Sequence, residues 1–268
     1  MIYLIKELHE ELNNIENNPV IIYINENNNY VTPFDQRQVF DDFIKKFAIK
    51  HYSLISDNFV GISQRQFECQ RCKFEQPQNI NNWSSIRYEY ETFFYLEFPL
   101  DEVRNYIAEQ NNILGNYQNI SQINIYDCFN YYQKINTKID YCESCKRNDC
   151  LFNIKKIIYS PSRYLVLIFK KEKQLGLNIK INFPLLLDIS NIIINNDNQH
   201  YELQGIVKHI DDNSHNGYYI SFCRSAVPMF NNQWYCYNDQ NVMEVNFQNI
   251  IDKDDTYILF YELKNNQW

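Results

Sequence analysis

Four cysteines form two pairs of the same spacing, and this is the arrangement in the chain that most clearly could do chemistry. The pairs are Cys69-x-x-Cys72 and Cys142-x-x-Cys145. Each pair can give two thiolates to one Zn²⁺ ion, and two pairs complete a tetrahedral four-sulfur site. Such a site has no open position for water, so it would be structural. The spacing therefore predicts one zinc bound by all four residues; the alternative is reduced thiols without metal.

The other four cysteines stand in different surroundings. Cys150 is predicted to be a less favoured substitute ligand. Cys128, Cys223 and Cys236 have apolar or aromatic neighbours in the sequence. Such surroundings are typical of cysteines that serve as small buried hydrophobic residues.

Composition excludes several classes of protein. The chain has 268 residues, 45% of them hydrophobic, which is enough for one core with a small satellite subdomain. Its net charge is −8, and no Lys/Arg cluster offers the basic face that nucleic acids require. No apolar run reaches the roughly 18 residues of a membrane span. These features predict a cytoplasmic or nuclear protein without a nucleic-acid or membrane partner, whose thiols are reduced or metal-bound.

The spacing of apolar residues predicts the elements that must position the cysteines. Two segments have helical spacing: Leu4–Leu12 and Phe34–Tyr52. Segment Tyr126–Tyr132 predicts a further, short helix. Two segments have the character of strands, the second one buried on both faces: Tyr88–Leu100 and Tyr164–Phe169. The mixture indicates the α+β fold class.

Further motifs follow one another along the second half of the chain. They are Phe183-Pro-Leu-Leu-Leu-Asp188, Tyr201–His209, Gly217-Tyr218-Tyr219, Trp234–Asp239 and Tyr257–Tyr261. Together with Leu8-His-Glu-Glu-Leu12 and the two cysteine pairs, their order resembles the catalytic domain of the ubiquitin-specific proteases, the papain-like deubiquitinases. The resemblance covers nearly the whole chain.

The resemblance implies one papain-like ubiquitin-specific protease domain over residues 1–268. An antiparallel palm sheet, zinc-ribbon-like β fingers and a truncated helical thumb are expected. The expected bounds are 1–60 for the remnant thumb, 61–160 for the fingers with part of the palm, and 161–268 for the palm with its His-box region. The motif that opens the family's thumb helix, and the Gly-Asn-Thr-Cys-type block of its nucleophile, are not found before Leu4. The chain is therefore expected to begin partway into the family's domain.

The resemblance also marks three positions of a catalytic site. The family's Gly-His-Tyr motif carries the general base, and in this chain Tyr218 takes the place of that His. Asn238 matches the residue that orients the base, and Asp239 matches the Asp beside it. A phenol titrates near pH 10, about three units above neutral, so it is a poor proton acceptor. The site is predicted to lack its base.

Two histidines and the cysteines do not replace the missing groups. His209 matches a family His that ends the preceding strand and is not the base. His215 is predicted to be a solvated loop residue, with a catalytic role as the lesser alternative. All eight cysteines follow the thumb helix, whereas the family's nucleophile precedes it. No nucleophile is therefore expected in this chain.

Three functions remain open at the level of the sequence. The main hypothesis is a domain that binds ubiquitin or a ubiquitin-like protein without cleaving it. The family's acidic patches meet a basic ubiquitin surface, which agrees with the sign of the net charge. One alternative is an active deubiquitinase whose N-terminal catalytic part is missing from this chain. The other is a structural scaffold without ubiquitin binding.

A shortened thumb has a predicted consequence for the palm. Strands Tyr164–Phe169 and Tyr257–Tyr261 are expected to lack part of their apolar cover. An uncovered patch would make the chain poorly soluble or self-associating, unless a partner or a missing N-terminal segment covers it. The alternative is that the segment Pro19–Tyr30 folds over the gap.

Overall fold

A computed structural model describes residues 2–12, 33–51, 53–75, 86–111, 120–171, 179–194, 199–210, 217–227, 233–251 and 255–264. The chain divides into two compact units. Unit 1 contains Met1–Phe93 and Gln133–Ser162, and unit 2 contains Phe94–Tyr132 and Arg163–Trp268. The segment Phe94–Tyr132 therefore belongs to the same unit as the strands after residue 162.

The helices of the described residues are α1 Ile2–Glu11, α2 Pro33–His51, α3 Leu54–Phe59, α4 Gln70–Glu75, α5 Leu100–Gln110, α6 Ile125–Tyr132 and α7 Phe247–Ile251. The strands are β1 Gly61–Cys69, β2 Ile86–Phe93, β3 Leu96–Pro99, β4 Gln122–Asn124, β5 Asn136–Cys142, β6 Arg147–Ser160, β7 Tyr164–Lys170, β8 Lys180–Asn182, β9 Leu186–Asp188, β10 His200–Ile210, β11 Tyr218–Arg224, β12 Trp234–Asn238, β13 Asn241–Val245 and β14 Thr256–Leu263. The predicted helices and the strand Tyr164–Phe169 are confirmed. The β-rich segment Tyr88–Leu100 contains most of β2 and all of β3, and it ends at the first residue of α5.

Unit 1 is built on one antiparallel sheet with the order β2-β1-β6-β5, which we call the fingers sheet. Strands β1 and β5 both run antiparallel to β6, so they run in the same direction and finish at the same end of the sheet. Cys69 is the last residue of β1, and Cys142 is the last residue of β5. The topology thus brings together two cysteine pairs that lie far apart in the sequence.

Aromatic residues hold helix α2 against the fingers sheet. Phe40 lies with its ring centroid 5.3 Å from that of Tyr90 and 4.5 Å from that of Tyr159. Phe43 adds a contact of 5.9 Å to Tyr90. Tyr90 belongs to β2 and Tyr159 to β6, so the helix covers two strands that are not neighbours in the sheet. Aromatic pairs at these distances stabilise packing beyond the area that they bury.

Helix α1 is tied to the start of α3 by a buried polar contact. The Nδ1 atom of His9 lies 2.7 Å from the hydroxyl of Ser53, and both residues are buried. Ser53 caps α3, and Ser56 completes a reciprocal capping box with it. Burial lowers the pKa of His9 from its usual 6.5, and the nearby His51 lowers it further. The fold therefore favours the neutral imidazole.

A pH dependence of stability follows from His9. The unfolded chain binds this proton more readily than the folded chain, so the free energy of unfolding should fall as the pH drops below 6.5. The loss continues until the pH has passed below the lowered pKa of the folded state. In His9→Asn this contribution to the pH dependence of stability should disappear. Urea unfolding at several pH values from about 4 to about 7.5 would measure it. If the free energy of unfolding changes with pH equally in both proteins, the prediction is wrong.

Unit 2 contains an eight-stranded sheet with the order β13-β12-β11-β10-β14-β7-β3, to which β9 adds by pairing with β10. All pairs are antiparallel except β3 with β7. Residues Leu165–Phe169 of β7 are exposed by 2% or less, which confirms the strand that was predicted to be buried on both faces. A separate parallel pair joins β4 and β8. No helix of the described residues is both long and apolar enough to cross a membrane.

The expected gap in the palm's apolar cover is not found where the sequence placed it. Strand β7 is buried, and Leu259 and Tyr261 of β14 are both 0% exposed. The prediction that these two strands lack cover is therefore wrong. Five of the large exposed apolar side chains of unit 2 lie on β11 to β13: Tyr218, Tyr219, Tyr237, Val242 and Met243. The segment Pro19–Tyr30, the alternative cover, lies outside the described residues.

Candidate functional site

Five cysteines meet at the edge of the fingers sheet where β1 and β5 end. We call them the thiol cluster: Cys69, Cys72, Cys142, Cys145 and Cys150. They come from the end of β1, from α4, from the end of β5, from the turn after it and from β6. Phe67 and Phe152 pack against them. All four ligands that the sequence predicted are therefore present, together with the residue that it held to be a substitute.

The sulfur atoms lie at distances suited to a shared metal ion. The four thiols that all lie within 4.8 Å of one another are those of Cys69, Cys142, Cys145 and Cys150. The Sγ atom of Cys72 lies 3.6 Å from that of Cys142. In a tetrahedron of Zn–S bonds of about 2.3 Å, sulfur atoms are about 3.8 Å apart. The cluster thus contains a group of four cysteines that could hold a metal ion.

In each pair, the sulfur of the first cysteine accepts a hydrogen bond from the backbone. The N–H of Cys72 donates to the sulfur of Cys69, and the N–H of Cys145 donates to the sulfur of Cys142. Burial alone would raise the pKa of Cys142, but the bond from Cys145 and the neighbouring thiols lower it to about 7. This lowering favours the thiolate of Cys142, and the thiolate is the form that binds metal.

The turn between β5 and β6 gives the second pair its shape. Cys142 pairs directly with Arg147 across the hairpin, so Cys145 lies within the turn itself. Lys146 closes that turn with a φ of 54°, in the left-handed region that residues with a side chain seldom adopt. The tight reversal directs Cys145 back toward Cys142. The residues fit a closed site of tetrahedral sulfur ligands, which is typical of structural zinc or of iron–sulfur centres.

The positions marked as a catalytic site lie in unit 2, on neighbouring strands. Tyr218 is the first residue of β11 and pairs with Ile210, and Tyr219 pairs with His209. Before them, Gly217 lies so close to the His209 ring that a Cβ atom there would be 2.6 Å from Nε2. Only glycine fits this position without moving the ring. The imidazole of His209 therefore lies beside the residue that precedes Tyr218.

Asn238 and Asp239 lie at the hairpin that joins β12 to β13. Asn238 pairs with Asn241, and Asp239 adopts a φ of 50° in the two-residue turn between them. The β11–β12 register pairs Ser221 with Tyr237. Continued by one residue, this register would place Asn238 and Tyr218 on the same face of the sheet as diagonal neighbours, on the order of 7 Å apart. The structure thus brings the predicted site residues to one end of these strands.

Aromatic rings surround His209. The ring of Tyr219 lies 4.6 Å from it and that of Tyr257 lies 6.4 Å from it, centroid to centroid. A cysteine protease needs a thiolate and an imidazole that takes its proton. Tyr218, which the sequence predicted in place of that imidazole, is 47% exposed. His215 lies outside the described residues, so its predicted loop role stays a prediction.

The cysteines of unit 2 do not stand beside Tyr218. Cys128 and Cys236 are buried, as predicted, whereas Cys223 is exposed and the prediction that it is buried is wrong. Cys223 lies five residues along β11 from Tyr218, which is about 17 Å, and on the opposite face of the sheet. Within the described part of the chain, no thiol and imidazole pair is therefore formed at the Tyr218 position.

The chain belongs to the Ubiquitin carboxyl-terminal hydrolase family, whose sequence pattern it matches over residues 1–261. It is 25% identical over 227 residues to Ubiquitin carboxyl-terminal hydrolase 13 of Saccharomyces cerevisiae, covering 80% of this chain and 26% of that protein. To Ubiquitin carboxyl-terminal hydrolase 9 of the same yeast it is 23% identical, covering 78% of this chain and 26% of that protein. The chain thus spans about a quarter of the length of these relatives.

Solved structures share the fold. A structure of the yeast SAGA DUB module aligns with a TM-score of 0.60 and 22% identity, covering 86% of this chain and 48% of that chain. The SAGA Ubp8/Sgf11/Sus1/Sgf73 DUB module bound to ubiquitin aldehyde aligns with a TM-score of 0.58 and 21% identity, covering 87% of this chain and 48% of that one. The α+β ubiquitin-specific protease fold that the sequence predicted is confirmed.

Proposed function

We propose that this chain is a ubiquitin-specific protease-like domain that binds ubiquitin or a ubiquitin-like protein without cleaving it. The observation that carries the proposal is Tyr218 at the position of the family's base. Loss of the base His from a triad protease lowers kcat by on the order of 10⁶. Asn238 and Asp239 would orient a base, but a phenol cannot take the thiol proton at neutral pH.

Binding of ubiquitin is supported by the fold that the chain shares with ubiquitin-bound proteins and by its net charge. Solved structures with this fold include a SAGA DUB module bound to monoubiquitin and one bound to ubiquitin aldehyde. The present chain carries a net charge of −8, which suits a basic partner surface. Binding requires a shaped surface rather than a thiolate, so it can persist where the base is lost. We place this domain in the ubiquitin system of the cytoplasm or nucleus.

We also propose that the fingers hold one structural zinc. Cys69, Cys72, Cys142 and Cys145 would hold it, in the two pairs that the sequence predicted. The metal would join the ends of β1 and β5, which do not pair with each other in the fingers sheet. Cross-linking them through one ion fixes an edge whose apolar packing is small, since the buried side chains there other than cysteine are Phe67 and Phe152.

A second candidate function comes from the length of the relatives. The chain covers only 26% of the two yeast hydrolases. A longer protein could contribute a nucleophilic cysteine from a preceding segment and would then be an active thiol-dependent deubiquitinase. Tyr218 opposes this alternative independently of chain length, because a supplied thiol would still lack the family's base.

Calorimetric titration of the purified chain with monoubiquitin tests the binding half of the proposal. We expect saturable one-to-one binding that weakens as NaCl rises, because salt screens the attraction between an acidic chain and a basic surface. Ubiquitin with its basic surface residues replaced by neutral ones is the matched control and should bind more weakly. Heats of dilution alone, from a chain whose circular dichroism shows it to be folded, would instead favour the scaffold.

A further inference from the structure

The thiol cluster contains one cysteine more than a tetrahedral zinc ion can bind. We propose that Cys72 and Cys150 compete for one coordination position of the zinc, so that Cys150 is an alternative ligand of the site. Cys69, Cys142 and Cys145 would supply the three permanent ligands. This inference rests on the proposed zinc and adds a ligand that the paired spacing does not contain.

The sulfur atoms of both Cys72 and Cys150 lie close to those of the three permanent ligands. Cys150 lies within 4.8 Å of each of their sulfur atoms, and its own Sγ is 3.2 Å from that of Cys145. The thiol of Cys72 is 3.6 Å from that of Cys142 and also interacts with those of Cys69 and Cys145. Both distances differ by about 0.6 Å or less from the roughly 3.8 Å edge of a zinc–sulfur tetrahedron. Either residue can therefore complete the site after a small movement.

Strand β6 fixes Cys150 toward the cluster. Cys150 and Phe152 are 1% and 8% exposed, whereas Leu151 between them is 45% exposed. This alternation places Cys150 on the face that carries the other thiols. It pairs with Asp140 of β5, the strand that ends in Cys142. The position of Cys150 therefore follows from the sheet and does not depend on a mobile side chain.

Each competitor has a hydrogen-bond partner when the other one binds the metal. As a thiol, Cys150 can donate to the carbonyl oxygen of Arg147, 3.7 Å away. As a thiol, Cys72 can donate to the sulfur of Cys142. When Cys150 is the ligand, its negative charge faces the guanidinium of Arg71, which also contacts Glu75 at 2.9 Å and Asp149 at 3.6 Å. In either state, the thiol that does not bind the metal therefore has a hydrogen-bond acceptor within reach.

Metal binding by four variants of the full chain tests the exchange: Cys72→Ser, Cys150→Ser, the double variant of both, and the control Cys223→Ser. Zinc per chain is measured by elemental analysis, and affinity by competition with a chelator. Cobalt substitution then counts thiolates through its sulfur-to-metal absorption. Circular dichroism shows whether each variant is folded.

Each single variant is expected to keep one metal and the cobalt absorption of the unchanged chain. The double variant should lose a ligand, with an affinity loss greater than the roughly 10- to 100-fold that removal of a ligand's hydrogen-bond partner causes. If Cys150→Ser changes nothing in either background while Cys72→Ser alone loses the metal, Cys150 is not a ligand and the inference fails. If Cys150→Ser alone loses it, the exchange fails as well. An unchanged chain that binds neither zinc nor cobalt would refute the zinc proposal itself.

Discussion

Cys69→Ser is expected to abolish stoichiometric zinc binding and to unfold the edge of the fingers sheet. Cys69 ends β1, accepts a hydrogen bond from the N–H of Cys72, and belongs to the group of four thiols within 4.8 Å. Binding of a structural zinc contributes on the order of 10 kcal/mol at neutral pH. A whole domain is stable by only about 5–15 kcal/mol, so loss of the metal should exceed what the local packing can offset.

Thermal unfolding and limited proteolysis would measure this effect. Removal of zinc from the unchanged chain by a chelator should have the same effect as the substitution. Proteolytic cleavage should then concentrate in the β5–β6 hairpin, while unit 2 stays resistant. Cys223→Ser is the matched control, because Cys223 is an exposed thiol outside the cluster. A folded, protease-resistant Cys69→Ser protein with no bound zinc would contradict the prediction. Acidification should also release the metal, because its ligands must be thiolates.

Tyr218→His is expected to leave the chain unable to hydrolyse a fluorogenic ubiquitin substrate, as the unchanged chain also should be. The substitution would put a His at the position proposed for the family's base, but a base needs a thiol within hydrogen-bond reach. Among the described cysteines of unit 2, Cys128 and Cys236 are buried, and Cys223 faces away about 17 Å along β11. The predicted gain is therefore nil, although the same change in a protease with its nucleophile would act by orders of magnitude.

The control for this experiment is Tyr218→Phe, which removes the hydroxyl and keeps the ring. All three proteins should give the rate of the buffer alone. Turnover in any of them that disappears on one cysteine substitution, with Cys223→Ser the first to try, would overturn the prediction. Turnover by Tyr218→His alone would show that the chain does hold a competent thiol.

The sequence predicted the features that depend on local spacing. Cys69-x-x-Cys72 and Cys142-x-x-Cys145 pointed to one site, and the topology of β1 and β5 brings them together. The buried strand at Tyr164–Phe169 was recognisable because each of its residues is apolar. Order of motifs along the chain was enough to predict the family, which the match over residues 1–261 confirms.

The errors concern features that depend on strand register and on tertiary packing. Cys223 has apolar neighbours in sequence, but β11 alternates, so Phe222 is buried and Cys223 is exposed. Cys150 was placed second to the paired cysteines, because only the return of β6 along β5 shows that its side chain enters the cluster. The available signal in the sequence was the alternation of apolar Phe152 and Ile154 with polar Asn153 and Lys155 after Cys150.

One measurement tests the central claim, that the chain binds ubiquitin and does not cleave it. Ubiquitin carrying a dye in amide linkage at its C-terminal glycine is mixed with increasing amounts of the chain, and fluorescence anisotropy is followed over hours. Binding without cleavage predicts a saturable rise that stays constant with time. A fall below the starting value would reveal released dye and an active hydrolase, and an unchanged signal would show that ubiquitin is not bound; either result would contradict the claim.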